Sequence, residues 1–467
     1  MKVGNKPAAV PQPLGGKTVS GGEDTLQQRI FAILFGAFLG LSFLKFGNPP
    51  IMEKWVTKPD GFFEFIFNFP WPIGWAYGLL IVVGIVGIAA WRPDASAPKW
   101  LIALPLLWFI WEFVAGTQSV DWSLTKPTLM HFAACAACFY LGLFSLSGVR
   151  RTGLFWIGII CGFLLVLAQG MEQHFGGLKA TREYFLTYVY PQMKEIPPGY
   201  WQKMTGERIF GTLFYPNTLA GAILLLLPAI LAVLWGMRER FTTGARGLLV
   251  GIVGLGALAC LFWSGSKGGW LLALVLGMIV LLRLKIKTAI KVGLISAVLV
   301  LGLAGFFARH LGFFQKGATS VNARFDYWHA AVRITKEHPI FGTGPGTFFI
   351  PYEKIRNPKS EPSRMTHNDY LEQASDSGIP ALLLYAAFIV GGLIWSAKTK
   401  DFREDCQMFA IWLGVLGWAL QSLMEFSLYI PALSWTAFAL LGWMIGKSEG
   451  QSSKSEVRSS KVEKAAA

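Results

Sequence analysis

Histidine is the side chain whose ordinary pKa suits proton transfer near neutral pH. His367 stands in the polar stretch Met365-Thr366-His367-Asn368-Asp369-Tyr370-Leu371. A lone loop histidine is commonly inert, and no second histidine or carboxylate has zinc-site spacing around this one. Its role therefore depends on what the fold brings to it. Arg208 lies in GERIFGTLFYPNTLAG, residues 206–221, which run straight into an apolar block. Pro216 and Asn217 suit a helix start, whose free N–H groups favour anions. Arg208 adds a planar, permanently charged fork for phosphate. The same residues equally describe a structural helix start with a snorkelling arginine.

Three further stretches complete the set. Ser264-Gly265-Ser266-Lys267-Gly268-Gly269-Trp270 lacks the G-x-x-x-x-G-K-[ST] spacing of a phosphate loop. It is either a tight turn offering Lys267 to an anionic headgroup or diphosphate, or a plain helix turn. Arg324-Phe325-Asp326-Tyr327-Trp328 places aromatic rings beside a cation; these could stack on sugars or anchor an interfacial helix. The glycines of Gly342-Thr343-Gly344-Pro345-Gly346 allow close backbone approach to a ligand. They follow no βαβ strand, so they do not indicate a dinucleotide site. Glu425, in Ser422-Leu423-Met424-Glu425-Phe426, either orients an acceptor or His367 or is a solvated loop charge. There is no D-x-D pair to hold a sugar nucleotide through a metal, and neither metal nor cofactor is expected.

The elements that must carry these residues are membrane helices. Of 467 residues, 15% are charged and 53% hydrophobic, with a formal net charge of +15; a soluble domain has about 25% charged residues. A spanning helix needs about 20 mostly apolar residues. Such blocks fall at about 30–46, 73–91, 100–116, 128–148, 154–172, 218–237, 248–264, 269–284, 289–308, 378–397, 408–424 and 432–447. The expected fold is an all-α polytopic membrane protein of about 12 transmembrane helices. Alternate short connections hold Arg92, Lys99, Arg150, Arg151, Arg238, Arg240, Arg246, Arg283, Lys285, Lys287, Lys291, Lys398, Lys400 and Arg403; the opposite ones hold only Lys45, Lys54, Lys58, Lys126 and Lys267. The positive-inside rule then puts both termini in the cytoplasm. The expected organisation is a disordered arm over 1–29, a membrane domain over 30–447 and a disordered tail over 448–467. A long outside loop over 309–377, between helices 9 and 10, holds His367. Within it, VNARFDYWHAAVRITKE should be a helix ending at His338-Pro339. MTHNDYLEQASDSG should be a short one, capped by Thr366 and stopped by Gly378. Cys135, Cys138, Cys161 and Cys260 sit in apolar blocks and Cys406 in a short loop, which argues against a disulfide scaffold.

Taken together, ERIFGTLFYPNTLAG, WSGSKGGW, HPIFGTGPGTF, THNDYLEQASDSGIPALLL and EFSLYIPA resemble the O-antigen ligase and polymerase superfamily of bacterial membrane glycosyltransferases. The resemblance covers residues 205–445. It implies a bacterial inner-membrane enzyme that takes a glycan from an undecaprenyl diphosphate carrier to an acceptor hydroxyl at the periplasmic face, without a metal. The acceptor is a lipid A core, a growing polysaccharide or a protein. The family's long-loop histidine matches His367, and its diphosphate-binding arginines match Arg208 and Arg324. Lys267 stands where many relatives have arginine, keeping the charge but not the bidentate fork. His367, Arg208 and Arg324 are thus the expected catalytic groups; Lys267, Asn217, Asn368 and Glu425 are the expected substrate-binding ones. An inverting transfer follows if His367 takes the acceptor proton. A polymerase of the same superfamily fits the residues equally. A lipid-linked glycan flippase is the alternative from another class, and the scarcity of ionisable groups within the apolar blocks speaks against it. No nucleic-acid partner is indicated.

Overall fold

The computed structural model describes residues 23–447, apart from 68–69, 93–96, 185, 188–189, 191–205, 316–318 and 359. The chain is an all-α polytopic membrane protein with no strand among the described residues. Each of the twelve apolar blocks lies in a helix. In order these are Leu26–Lys45, Ile73–Ala89, Lys99–Gly116, Trp122–Tyr140, Gly153–Glu172, Pro216–Gly236, Thr243–Trp263, Lys267–Arg283, Thr288–Gln315, Asp369–Lys398, Cys406–Gln421 and Pro431–Lys447. Among the described residues, eight helices are long and apolar enough to cross a membrane. Residues 431–445 of the last helix are buried throughout, so it forms the centre of the bundle. Outward-facing Ile81, Ile85, Leu248, Ile252, Val300 and Leu301 leave an apolar perimeter, as a hydrocarbon solvent demands.

Water does not drive helices together inside a bilayer, so close backbone packing must. Gly36 and Gly40 on Leu26–Lys45 face Gly158 and Gly162 on Gly153–Glu172, and a Cβ at any of the four would collide with backbone of the opposite helix. These are two facing G-x-x-x-G motifs. Gly158→Leu should therefore cost about 1–3 kcal/mol or more through overpacking. Gly153→Leu, which meets open space, should cost almost nothing. Thermal unfolding of the two variants in detergent tests this, and equal midpoints would overturn it.

Several boundaries differ from expectation. Residues expected in the N-terminal arm already belong to the first helix, because Thr25 and Gln28 close a capping box that starts it at Leu26. The rest of the arm, residues 1–22, and the tail, 448–467, lie outside the described residues. Cys406 opens a helix capped by Asp405 rather than sitting in a loop; all five cysteines are free. Helix Thr319–Glu337 agrees with expectation. The short polar helix does not. Asn368, not Thr366, is its cap, with Oδ1 accepting from Leu371 N at 3.1 Å. Gly378 kinks the helix at φ 82° rather than ending it, and the same element continues to Lys398.

That continuity changes how the polar residues are carried. Asp369, Glu372 and Asp376 are fully buried at the head of a membrane helix, and Glu112 is buried beside them. Each ties down a different segment. Asp369 Oδ2 accepts from Leu428 N at 2.7 Å, Glu372 Oε2 from Thr366 N at 2.9 Å, Asp376 Oδ2 from Gly346 N at 2.7 Å and Glu112 Oε2 from Ser377 Oγ at 2.6 Å. Asp369, Glu372 and Asp376 precede the apolar block at 378–397, so they extend its helix with a polar head and leave the block itself free of carboxylates.

Candidate active site

Arg208 sits in the loop before Pro216–Gly236, and that loop is fixed by a side chain from elsewhere. Gln173 Oε1 accepts from Phe210 N at 2.9 Å and Gly211 N at 2.8 Å, and its Nε2 donates to Gly211 O at 2.8 Å. So held, Arg208 donates from Nε to Ser264 O at 2.6 Å and from Nη2 to Asn217 Oδ1 at 2.8 Å. Ser264 belongs to the SGSK turn, where Gly265 adopts φ 60° and lies against Arg208; a Cβ there would stand 3.3 Å from its Nε. The positive φ favours glycine, and any side chain there would press on the arginine. Ser266 caps the following helix, and its first residue, Lys267, lies close enough to feel the charges of Arg208 and Arg324.

Glu425 is the hub. Its Oε1 accepts from Asn217 Nδ2 at 2.6 Å and pairs with Arg324 Nη2; its Oε2 faces His367 Nδ1 at 3.1 Å. Arg324 also donates to Met424 O at 3.1 Å and Ser320 O at 2.9 Å. The turn carrying Glu425 is pinned by Asp369 and by His131, whose Nε2 lies 2.8 Å from Leu428 O. Thus Arg208, Asn217, Arg324, His367 and Glu425, expected from four separate stretches, form one hydrogen-bonded network with Lys267 at its side. Asn368 is not in it; its side chain is spent on the helix cap.

Burial alone would raise the Glu425 carboxyl. The charge of Arg324 and the hydrogen bond and charge of His367 outweigh that and hold it at about 2, against an ordinary 4.5. Arg208 is lowered by burial, opposed by Glu425 and assisted by the like charge of Arg324. A carboxyl depressed in the folded state adds stability above its unfolded value. That contribution is complete above about 4.5 and is lost as pH falls towards about 2. The thermal midpoint of the wild type should drop across that window more steeply than that of Glu425→Gln; parallel acid profiles would refute this.

Among the described residues, His367 is one of two non-glycine residues with positive φ, at 53°. Such a conformation costs of order 1–3 kcal/mol and persists only where its surroundings enforce it. Here Thr366 spans the residue, donating from Oγ1 to Asn368 O at 2.7 Å and accepting from Asn368 N at 3.1 Å, while Glu372 holds Thr366 from below. Tyr327 stacks on the imidazole at 5.8 Å between centroids, and Phe426 meets it edge-on at 4.9 Å. With Nδ1 donating to an ionised carboxylate, the neutral ring keeps its lone pair on Nε2. The arrangement can take one proton at Nε2 and offer three cations against one carboxylate beside it.

Sequence reading did not find Gln173, Glu372, Asp369 or Phe426 as supports. Only Tyr327, three residues after Arg324 on one helix face, carried a local signal. Among the described residues no group of three His, Cys, Asp or Glu side chains could hold a metal ion.

Residues 255–386 match the family described as O-antigen ligase. The matched segment contains Lys267, Arg324 and His367 and stops short of Arg208, Asn217 and Glu425. The chain is also 26% identical over 173 residues to an uncharacterized protein of Haemophilus influenzae, covering 31% of this chain and 42% of that protein's length.

Proposed function

We propose, from the match of residues 255–386 to the O-antigen ligase family, that this chain transfers a glycan from an undecaprenyl diphosphate carrier to an acceptor hydroxyl. The transfer takes place at the periplasmic face of the bacterial inner membrane, with both termini cytoplasmic. The family supports a ligase or polymerase role in the membrane. The observation that carries the finer reading is the His367–Glu425–Arg324 contact, which joins a proton acceptor to a cation through one carboxylate. The acceptor oxygen attacks the anomeric carbon while the bond from that carbon to the diphosphate oxygen breaks, its electron pair leaving with the diphosphate. The acceptor proton passes to His367 Nε2. Arg208, Arg324 and Lys267 oppose the charge that develops on the leaving group, which is where fixed cations aid catalysis most. Attack opposite the leaving group inverts the anomeric centre, and no step needs a metal.

The test is the glycan content of cells lacking the protein. Loss of surface glycan with accumulation of carrier-linked chains is expected, restored by the wild type. Long accumulated chains identify a ligase and single repeat units a polymerase. Unchanged carrier-linked material would remove the transferase reading, and build-up on the cytoplasmic leaflet would put a flippase in its place.

A further inference from the structure

A fourth guanidinium stands apart from the three already used. Arg364 lies three residues before His367, and its planar group is covered by Trp55 at 4.7 Å and by Phe349 at 5.0 Å. Its Nε is buried and has no hydrogen-bond partner, as is true of Arg29, Arg182 and Arg246, and Arg364 forms no ion pair among the described residues. Leaving such a donor unmet costs about 1–3 kcal/mol, so its retention calls for a partner that comes and goes. Arg208, Lys267 and Arg324 act on one another electrostatically. Arg364 lies close enough to Tyr215 for the phenol to feel its charge. Tyr215 packs edge-on against Phe426 at 5.3 Å, and Phe426 against His367 at 4.9 Å. Arg364 thus stands three residues before the histidine and near Tyr215, which packs on the Phe426 ring that meets the imidazole.

We infer that Arg364, with Trp55 and Phe349, forms an acceptor subsite for a sugar bearing an anionic group. The inference rests on the transferase reading. With two aromatic rings within 5.0 Å of its central carbon, the guanidinium is held in place, and its planar N–H fork matches a carboxylate or phosphate. Flat apolar rings beside a charge also suit the face of a pyranose. Trp55 ends the short helix Pro50–Trp55 in the first loop, so that loop contributes to the site and is not merely a connection. Uronic acids and sugar phosphates share the required chemistry.

The test uses the full chain in detergent with three synthetic acceptor oligosaccharides, ending in glucuronic acid, a phosphorylated hexose or a neutral hexose. Calorimetric affinity and the KM for acceptor and for carrier-linked donor are measured for wild type, Arg364→Gln and Arg364→Lys. At least one anionic acceptor should bind the wild type about tenfold more tightly than the neutral one, and the tighter of the two names the anion. Arg364→Gln should abolish that preference and raise acceptor KM about tenfold with donor KM unchanged; Arg364→Lys should fall between. A wild type indifferent to acceptor charge overturns the inference even if Arg364→Gln fails to fold. So does a rise in donor KM alone, which would make Arg364 a diphosphate contact. Anionic-acceptor binding without any transfer would instead remove the transferase reading and leave the subsite standing.

Discussion

His367→Ala should lower transfer by about 10²- to 10⁴-fold, the usual worth of a positioned general base, while the protein stays folded in the membrane. The imidazole side chain keeps 27% of its surface exposed and makes one polar contact, to Glu425, so truncation opens no large core cavity. The loop survives because its strain is held by Thr366 and Glu372 rather than by the imidazole. Turnover measured on purified protein, with donor and acceptor KM, checks this. A fall in kcat with KM little changed is expected, since proton removal matters in the transition state and not in substrate binding. Full activity in His367→Ala would end the general-base assignment and favour a transporter.

Glu425→Ala should do damage of a different kind, losing activity and stability together. It strips the buried carboxylate from Arg324, Asn217 and His367 at once. Breaking a buried ion pair from one side costs about 3–5 kcal/mol, because the partner charge is left unmet. His367 would also lose the acceptor that fixes its tautomer, and Arg324 and Arg208 would repel each other without a shared counter-charge. Glu425→Gln keeps the shape and one acceptor oxygen, so it should recover much of the stability and little of the activity. Thermal midpoints and kcat for the pair separate these effects. If Glu425→Ala melts with the wild type, the hub is no hub.

The sequence by itself determined the solvent, the class and most of the residues that meet at the candidate site. Apolar blocks of spanning length can only be membrane helices, because backbone polar groups in hydrocarbon must bond within their own segment. All twelve blocks lie in helices of the structure. His367, Arg208, Arg324, Asn217 and Glu425 were also legible, since each is a polar residue at the rim of an apolar element. The two G-x-x-x-G motifs were readable too, yet composition drew attention to helix length and away from helix faces.

What only the tertiary structure decided was which of these residues meet and what holds them. No local rule predicts that Gln173 secures the Arg208 loop, that Asp369 pins the Glu425 turn or that Glu372 fixes Thr366 beneath the strained His367. The first two cross 38 and 59 residues of chain and exist because bundle packing, not periodicity, brings helix ends together; the third spans six residues but depends on Glu372 being buried at the helix head. Asn368 shows the limit from the other side. Its type suited a substrate contact, but at the start of a helix the nearest unmet N–H is Leu371's, and the side chain goes there. Arg364 was just another loop cation in the sequence; Trp55 and Phe349, far from it along the chain, make it a candidate ligand site.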